Sequence, residues 1–519
     1  MTFQLEAQQL SELQALATPN TLRTSYDVGY YHLDLAIDFD KKSISGFVDM
    51  KARLLEPRAE IAMDLAQNLS IDSVLHDGKS CAFSRTKNSR GFKILFNHVV
   101  EPNAVFNIRV YYHGQPQIAK NAPWDGGFSW AKDTEGNPWL GVSCQGDGAS
   151  LWWPNKDLLY DEADSVSVTC HYPNTLFFVS NGNLISDYDQ YGRRSTTWKT
   201  SYPINNYNLS LNIADYAHFS EVYERQNDED LEMDYYVLKP NLNKAKRHFK
   251  QAKTVIKVFE NAFGKYPFQD DGYALVETPY LGMEHQSAIA YGNKFLPGYL
   301  GRYPKKIDFD FIIIHETGHE WWGNSLSMTD RSDMWIHESF CTYSEAIYVE
   351  EVYGHQAMLD YLEYQKAFIT NAAPIQGEKH QHKSGEHTDI YYKGAWTLHT
   401  LRQLVADDKR WFSTIKKLAQ HYQIQSVTGD EVKAFLEQEL ELELDAFFNM
   451  YFDQSKLPIL EYRKVRKGVE ARLVDANFEL PFGKLKLSNQ WKRLKKVKLK
   501  SFKKQVNQHL LVDLKYVET

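Results

Sequence analysis

The sequence is poor in the residues that hold small or fibrous proteins together. It has four cysteines, 28 glycines and 17 prolines in 519 residues, which excludes a disulfide scaffold, a collagen-like repeat and a low-complexity chain. The cysteines at positions 81, 144, 170 and 341 form no CxxC pair. This argues against a zinc site built from cysteines and leaves one or two disulfides open.

Long apolar runs are also absent. The strongest, Phe311–Ile314, is far shorter than the roughly 20 residues that a membrane helix needs, so we expect no membrane span. No basic segment followed by an apolar one opens the sequence, so we expect no secretory signal in it. The compartment stays unknown: the chain is soluble and cytoplasmic by default, or exported if a signal was removed before the numbering begins.

Charge is unevenly distributed along the chain. The net charge is −8, but residues 456–519 carry 17 lysines and arginines against six acidic residues. The acidic remainder argues against nucleic acid as a partner and weakly favours a substrate with a positive amine. The basic stretch indicates either a polyanion-binding module or, as we favour, a small β domain whose lysines face solvent and protect sheet edges.

The length predicts three or four domains. Residues 1–215 show short runs that alternate apolar and polar side chains, such as Tyr31–Phe39, and predict an N-terminal antiparallel β saddle or sandwich. Residues 456–519 return to alternation at 484–487 and 496–500, which predicts a small basic β-sandwich-like domain.

The region between them, 216–455, has helical periodicity. A helix is predicted over Lys244–Ala262, with others near 307–327, 335–352, 394–407 and 411–422. Thr428 and Glu431 form a capping-box signature before a further helix, and a short sheet is expected at 271–291. The predicted fold class is therefore multidomain α+β with a mostly helical domain between the two β domains.

The most informative segment is His315-Glu316-x-x-His319. On a helix this spacing places both imidazoles on one face, one turn apart, where they can bind a zinc ion at about 2.0–2.1 Å each. Glu316 lies beside them and is the candidate general base for an attacking water. The alternative is a pair of buried histidines satisfied by contacts within the core.

A carboxylate on the next predicted helix strengthens the metal hypothesis. Eighteen residues separate Glu338 from His319, and two histidines with one glutamate leave a fourth zinc position open, as in catalytic sites. Glu345 is seven residues further and shares a helix face with Glu338. It either accepts a hydrogen bond from a ligand imidazole or is a surface charge.

These residues resemble, in type and spacing, the zinc aminopeptidase family of aminopeptidase N and leukotriene hydrolase, which are gluzincin metallopeptidases. The resemblance extends from about Tyr26 to Leu460 and includes the segments Asp27–Leu35 and Trp153–Asp157. It implies a thermolysin-like zinc catalytic domain over 216–455, one zinc ion per chain, and peptides with a free N-terminus as substrates.

The family binds the substrate amine with a Gly-x-Met-Glu-Asn edge strand, and a carboxylate suits an ammonium. Here Gly282, Met283 and Glu284 align with that segment, while Leu281 replaces its first glycine and His285 its asparagine. The resemblance implies that Glu284 binds the amine and that Gly282 and Met283 pair with the substrate backbone. A protonated His285 would repel the ammonium, so we expect activity to fall in acid.

Two further residues follow from the resemblance. Gln145 stands where the leukotriene-hydrolase branch has a glutamine that helps to bind the amino end; a polar loop residue is the alternative. Tyr391 aligns with the tyrosine of the family's Tyr-x-Lys-Gly segment, with Tyr392 in the variable position. A phenol there would stabilise the oxyanion by about 2.7–4 kcal/mol, unless both tyrosines only fill the core.

The sequence thus predicts a zinc-dependent aminopeptidase. The alternatives are a thermolysin-type endopeptidase, which lacks the amine anchor, an epoxide hydrolase as in the leukotriene branch, and a non-catalytic scaffold on this fold. Larger family members continue into a helical C-terminal domain, whereas 64 residues follow Ser455 here. We therefore expect no helical roof and an open cleft. The preferred first residue, the oligomeric state and the physiological substrate are not predicted.

Overall fold

The computed structural model describes residues 12–87, 89–226, 228–304, 307–382, 387–474, 476–482 and 485–518. It confirms the predicted fold class, a mixed α+β chain with an N-terminal β-sheet region and a helical catalytic region. The chain forms two compact units: the first takes the described residues up to Lys253 with 267–296 and 380–382, and the second takes 254–266, 297–379 and the remainder. The predicted domain boundaries stay predictions.

The first unit is built on β-sheets. The strands are β1 (Tyr26–Asp38), β2 (Ser43–Leu54), β3 (Arg58–Asp64), β4 (Leu69–His76), β5 (Lys79–Cys81), β6 (Phe83–Arg85), β7 (Gly91–Val100), β8 (Val105–Gly114), β9 (Gly127–Lys132), β10 (Pro138–Ser143), β11 (Ser165–Pro173), β12 (Phe177–Val179), β13 (Asn183–Gln190), β14 (Arg193–Lys199) and β15 (Asn212–Ala214). The main sheet has the strand order β13-β14-β11-β1-β2-β8-β4-β5, a second sheet has the order β12-β15-β10-β9, and a third has the order β3-β7-β6.

Alternation in the sequence explains these strands. In β1 the side chains of Tyr31, Leu33 and Leu35 are buried in the core, while the residues between them are partly exposed. The register agrees with this pattern, because Tyr31 pairs with Met50 and Leu33 with Val48 of β2, so that core residues share one face. β1 also pairs in parallel with β11, while its pairing with β2 is antiparallel.

A five-stranded sheet in the same unit carries the predicted substrate strand. Its order is β16 (Tyr216–Tyr223), β17 (Leu231–Leu238), β18 (Tyr273–Glu277), β20 (Ala288–Tyr291) and β19 (Gly282–Met283), so β19 is the edge strand. Gly292 follows β20 and is required there, since an added Cβ would lie 1.7 Å from the carbonyl oxygen of Tyr280. The short sheet predicted at 271–291 is confirmed.

Helices make up most of the second unit. In chain order the α-helices with both ends among the described residues are α1 (Thr21–Thr24), α2 (Leu242–His248), α3 (Gln251–Phe263), α4 (Phe311–Gly318), α5 (Trp335–Tyr353), α6 (His355–Lys366), α7 (Tyr392–Val405), α8 (Asp408–His421), α9 (Gly429–Leu440), α10 (Asp445–Tyr451) and α11 (Leu499–His509). The helix predicted over Lys244–Ala262 is therefore two helices. The capping box of Thr428 and Glu431 is confirmed at the start of α9.

Two of these helices pack very closely. An added Cβ at Gly394 in α7 would lie 1.8 Å from Oγ of Ser339 in α5, so only glycine permits this approach. The hydroxyl of Ser339 also donates a hydrogen bond to the carbonyl of Ile390, at 2.6 Å. Together these contacts fix the segment that precedes α7 against α5.

The C-terminal segment forms a four-stranded sheet with the order β27 (Lys492–Lys495), β24 (Gly468–Val474), β23 (Ile459–Val465) and β28 (Asp513–Tyr516). The strand predicted at 496–500 is wrong: β27 ends at Lys495, and α11 begins at Leu499. Phe502 and Val506 are one helical turn apart and are both buried in the local core, which favours a helix.

Among the described residues, no helix is both long and apolar enough to cross a membrane.

Candidate functional site

Helix α4 presents the two histidines of the HExxH motif. Asp310 caps its N-terminus by accepting a hydrogen bond from the backbone N–H of Ile312 at 2.9 Å. His315 lies in the last turn, and His319 is the residue at which the helix ends. Their Nε2 atoms are 3.2 Å apart, so both rings point to one place in a buried region.

Glu338, in the first turn of α5, completes a cluster of three potential ligands. Its Oε2 atom lies 3.3 Å from Nε2 of His315 and 3.5 Å from Nε2 of His319. A zinc ion with ligands at about 2.0–2.1 Å in a tetrahedral arrangement separates those ligands by about 3.3–3.4 Å. The buried Oε2 atom of Glu338 accepts no hydrogen bond, so the cluster fits a divalent cation.

The far side of each imidazole is held by an acceptor. Nδ1 of His315 is 2.8 Å from Oε1 of Glu345, and Nδ1 of His319 is 2.9 Å from the carbonyl oxygen of Trp322. An N–H donated at Nδ1 leaves the Nε2 lone pair free for a metal. Glu345 is buried and is therefore not a surface charge.

The electrostatics of the cluster favour positive charge. Burial disfavours the charged form of His315, yet the neighbouring carboxylates of Glu338 and Glu345 raise its pKa to about 10. Burial likewise disfavours the carboxylate of Glu338, yet the two imidazoles hold its pKa well below the usual range. A metal cation would satisfy the same acceptors in place of protons.

The other predicted residues of the second unit lie near this cluster. Glu316 is buried on α4 between the two histidines. The ring of Tyr391, just before α7, has its centroid 6.1 Å from that of His315, with the planes at 29°. The neighbouring Tyr392 packs its ring against Phe368 instead. The structure thus places Tyr391 beside a proposed ligand, as the resemblance implies.

The first unit contains a second buried carboxylate that is held by hydrogen bonds. Gln145 donates a hydrogen bond from Nε2 to Oε1 of the buried Glu284, and the hydroxyl of Tyr207 donates to the same oxygen at 3.2 Å. Gln145 and Glu284 are 139 residues apart, yet the sequence prediction brought them together. Tyr207 was missed, because nothing around it distinguishes it among 32 tyrosines.

Gly282 and Met283 form the edge strand β19, as expected. Gly282 pairs with Tyr291 and Met283 with Ala290, both on β20. Because β19 ends the strand order, its other edge has no strand beside it within the described part of the sheet. An extended peptide could therefore pair with this edge.

His285 corrects one prediction. Its ring is fully buried, and both ring nitrogens are without a hydrogen-bond partner. Burial lowers its pKa to about 3, so the imidazole stays neutral in moderate acid. The hypothesis that a protonated His285 repels a substrate ammonium there is therefore wrong.

Comparison with known proteins agrees with this geometry. Residues 247–451 match the model of the peptidase family M1 domain. The chain is 23% identical over 450 residues to leukotriene A-4 hydrolase of Xenopus laevis, which covers 81% of this chain and 70% of the relative. It is 20% identical over 299 residues to aminopeptidase N of Escherichia coli, which covers 55% of this chain and 34% of the relative. The chain thus spans about a third of that aminopeptidase.

A solved structure shares the fold. An M1 zinc metallopeptidase mutant from Deinococcus radiodurans, bound to a Tyr-Ser-Ala substrate, superposes with a TM-score of 0.69 at 18% identity. The match covers 84% of this chain and 95% of the other. Zinc is the cofactor that this fold and family imply. Residues 247–451 are therefore similar to the peptidase family M1 domain, and the chain is similar to leukotriene A-4 hydrolase and aminopeptidase N.

Proposed function

We propose that this chain is a zinc-dependent aminopeptidase that hydrolyses the N-terminal peptide bond of peptides. The observation that carries the proposal is the convergence of the Nε2 atoms of His315 and His319 on the unpartnered, buried Oε2 atom of Glu338. The separations match a tetrahedral metal site with one position left for substrate or water.

His315, His319 and Glu338 would hold one zinc ion per chain. When bound, zinc supplies a Lewis acid that polarises the scissile carbonyl and promotes ionisation of the attacking water. Glu345 accepts the hydrogen bond from Nδ1 of His315, which sets the tautomer of the ring and leaves Nε2 as the atom that would bind the metal.

Glu316 is the proposed general base. A carboxylate next to two ligands on the same helix can take the proton of the attacking water and pass it to the leaving amine nitrogen. Its burial on a short, capped helix limits the positions that the carboxylate can adopt.

Tyr391 is the proposed oxyanion donor. Its phenol O–H would donate to the carbonyl oxygen as negative charge develops, a contribution of about 2.7–4 kcal/mol for other single donors. The contact of its ring with that of His315 supports this role.

Glu284 is the proposed anchor for the substrate ammonium. Gln145 and Tyr207 both donate to its Oε1 atom, which fixes the orientation of the carboxylate. An ammonium bound there would restrict cleavage to the first peptide bond. The free edge of Gly282 and Met283 is the proposed partner of the substrate backbone.

A peptide and its N-acetylated copy test the function. We expect an aminoacyl-coumarin or short peptide to be hydrolysed, the acetylated copy to be rejected, and a chelator to abolish turnover until zinc is restored. Hydrolysis of the acetylated peptide at an internal bond would instead indicate an endopeptidase. Absence of turnover in the zinc-loaded protein across a panel of first residues would contradict the proposal.

A further inference from the structure

Helix α6 carries two polar side chains that contact the metal cluster indirectly, through Glu345. Tyr361 and Gln365 are four residues apart, so they lie on one face of the helix, and both are buried. The hydroxyl of Tyr361 donates to Oε2 of Glu345 at 2.5 Å, and Nε2 of Gln365 donates to the same oxygen at 2.9 Å. Neither residue was singled out by the sequence.

The two oxygen atoms of the Glu345 carboxylate have different hydrogen-bond partners. Its Oε2 atom accepts from Tyr361 and Gln365, while its Oε1 atom accepts from Nδ1 of His315. A carboxylate is planar, so two donors that fix Oε2 also fix the direction of Oε1. Since Glu345 is fully buried, solvent does not reach it to replace a lost donor.

We propose that Tyr361 and Gln365 are positioning residues that set the zinc affinity of the centre through Glu345 and His315. This inference rests on the proposed function, because it takes His315 as a zinc ligand. The chain of contacts runs from α6 through α5 to α4, so three helices orient one imidazole. Hydrogen-bond partners of metal ligands orient those ligands and tune the affinity of the site for its metal.

Tyr361 could also matter only for packing, and this structural role can be separated experimentally from its role in positioning Glu345. Its ring packs edge-on against that of Phe309, with centroids 5.6 Å apart. Tyr361→Phe keeps that packing and removes only the hydroxyl. Gln365→Met keeps the length of the side chain and removes only the donor, so the two variants delete one hydrogen bond each.

Tyr451→Phe is a matched control in the same unit. Its hydroxyl is also buried and donates a single hydrogen bond, to the carbonyl of Leu511 at 2.7 Å. Loss of that bond affects stability in the same way but leaves Glu345 untouched. Any effect common to Tyr361→Phe and Tyr451→Phe is therefore structural.

The experiment measures zinc affinity by competition with a chelator, together with the melting temperature of the zinc-free protein and the steady-state constants at saturating zinc. Loss of an outer-shell partner weakens metal binding by about 10–100-fold, and these residues act one step further out. We therefore expect about a tenfold weaker zinc affinity in Tyr361→Phe and in Gln365→Met, with KM unchanged and no change in affinity for Tyr451→Phe.

Equal zinc affinity in Tyr361→Phe, Gln365→Met and the control would overturn the inference while leaving the proposed function intact. If Tyr361→Phe does not fold, the Gln365→Met result decides alone. A wild-type protein that binds no zinc would overturn both this inference and the proposed function, so the two failures are distinguishable.

Discussion

Buried histidines and glutamates occur together in two regions of this molecule, and the two regions treat them differently. In the helical cluster, His315 and His319 each have a hydrogen-bond acceptor at Nδ1, and their Nε2 atoms point to the same place. In the turn after β19, His285 is equally buried, yet neither ring nitrogen has a partner. Burial alone therefore does not mark a ligand; a fixed tautomer and convergence with a carboxylate do.

The carboxylates of the two regions differ in the same way. Glu338 faces two imidazoles, which suits a shared cation. Glu284 instead accepts from Gln145 and Tyr207, which are neutral donors and orient it without neutralising it. The first arrangement suits a resident metal, and the second suits a charged group that comes and goes.

Substituting one histidine in each region tests this distinction most strongly. We expect His319→Asn to abolish stoichiometric zinc binding, because it removes one of the three proposed ligands and leaves only His315 and Glu338. His285→Asn should bind zinc as the wild type does. Metal analysis after gel filtration gives the result, and zinc retention in His319→Asn would refute the ligand assignment.

Substituting one carboxylate in each region should split the kinetic constants. Glu316→Gln removes the proposed general base, so we expect kcat to fall by about 10²–10⁴-fold with zinc retained. Glu284→Gln removes the proposed amine anchor, so we expect the main effect in KM and in the discrimination against acetylated peptide. Steady-state kinetics with bound metal measured in parallel would show this split; similar effects of both changes on KM would argue against it.

Tyr391→Phe should have a somewhat smaller effect than the loss of the base. A single oxyanion donor contributes about 10²–10³-fold in kcat. Tyr392→Phe is the control, because that ring packs on Phe368 and fills the variable position of the motif. A comparable loss of kcat in both variants would mean that the pair acts by packing and not as a donor.

The smallest effect concerns pH. His285 has an ordinary pKa near 6.5 when unfolded and about 3 when folded. Between these values the unfolded chain binds a proton that the folded chain does not, so this group lowers stability as the pH falls, by up to about 1.4 kcal/mol per pH unit.

His285→Asn should therefore flatten the acid side of the stability curve. Urea unfolding between pH 4 and pH 7 measures the difference in stability between the variant and the wild type, which should change with pH below about 6.5 and become constant above pH 7. The acid limb of kcat should be unchanged, since the folded protein keeps His285 neutral. A variant curve parallel to that of the wild type would mean that the pKa of His285 is the same in the folded and unfolded chain.

Short-range patterns were predictable from the sequence. The four-residue spacing of His315 and His319 and the seven-residue spacing of Glu338 and Glu345 each place both residues on one helix face, whatever the rest of the chain does. The capping box at Thr428 depends on local geometry in the same way. These features required only a helix to form.

Contacts between distant segments were not predictable from periodicity. The hydroxyls of Tyr207 and Tyr361 reach their carboxylates across 77 and 16 residues, and nothing in their neighbourhoods indicates a partner. The neutrality of His285 depends on how deeply the turn is buried, which a single sequence does not record. The strand expected up to 500 ends earlier because Phe502 and Val506 gain more burial on a helix face.

The contact between Gly394 and Ser339 also bears on the proposed site. Glu338, the proposed ligand, stands one residue before Ser339, and Tyr391, the proposed donor, three residues before Gly394, so a methyl added at position 394 would push the segments that carry these two residues apart. The spacing of the proposed ligand and the proposed donor therefore depends on position 394 having no side chain.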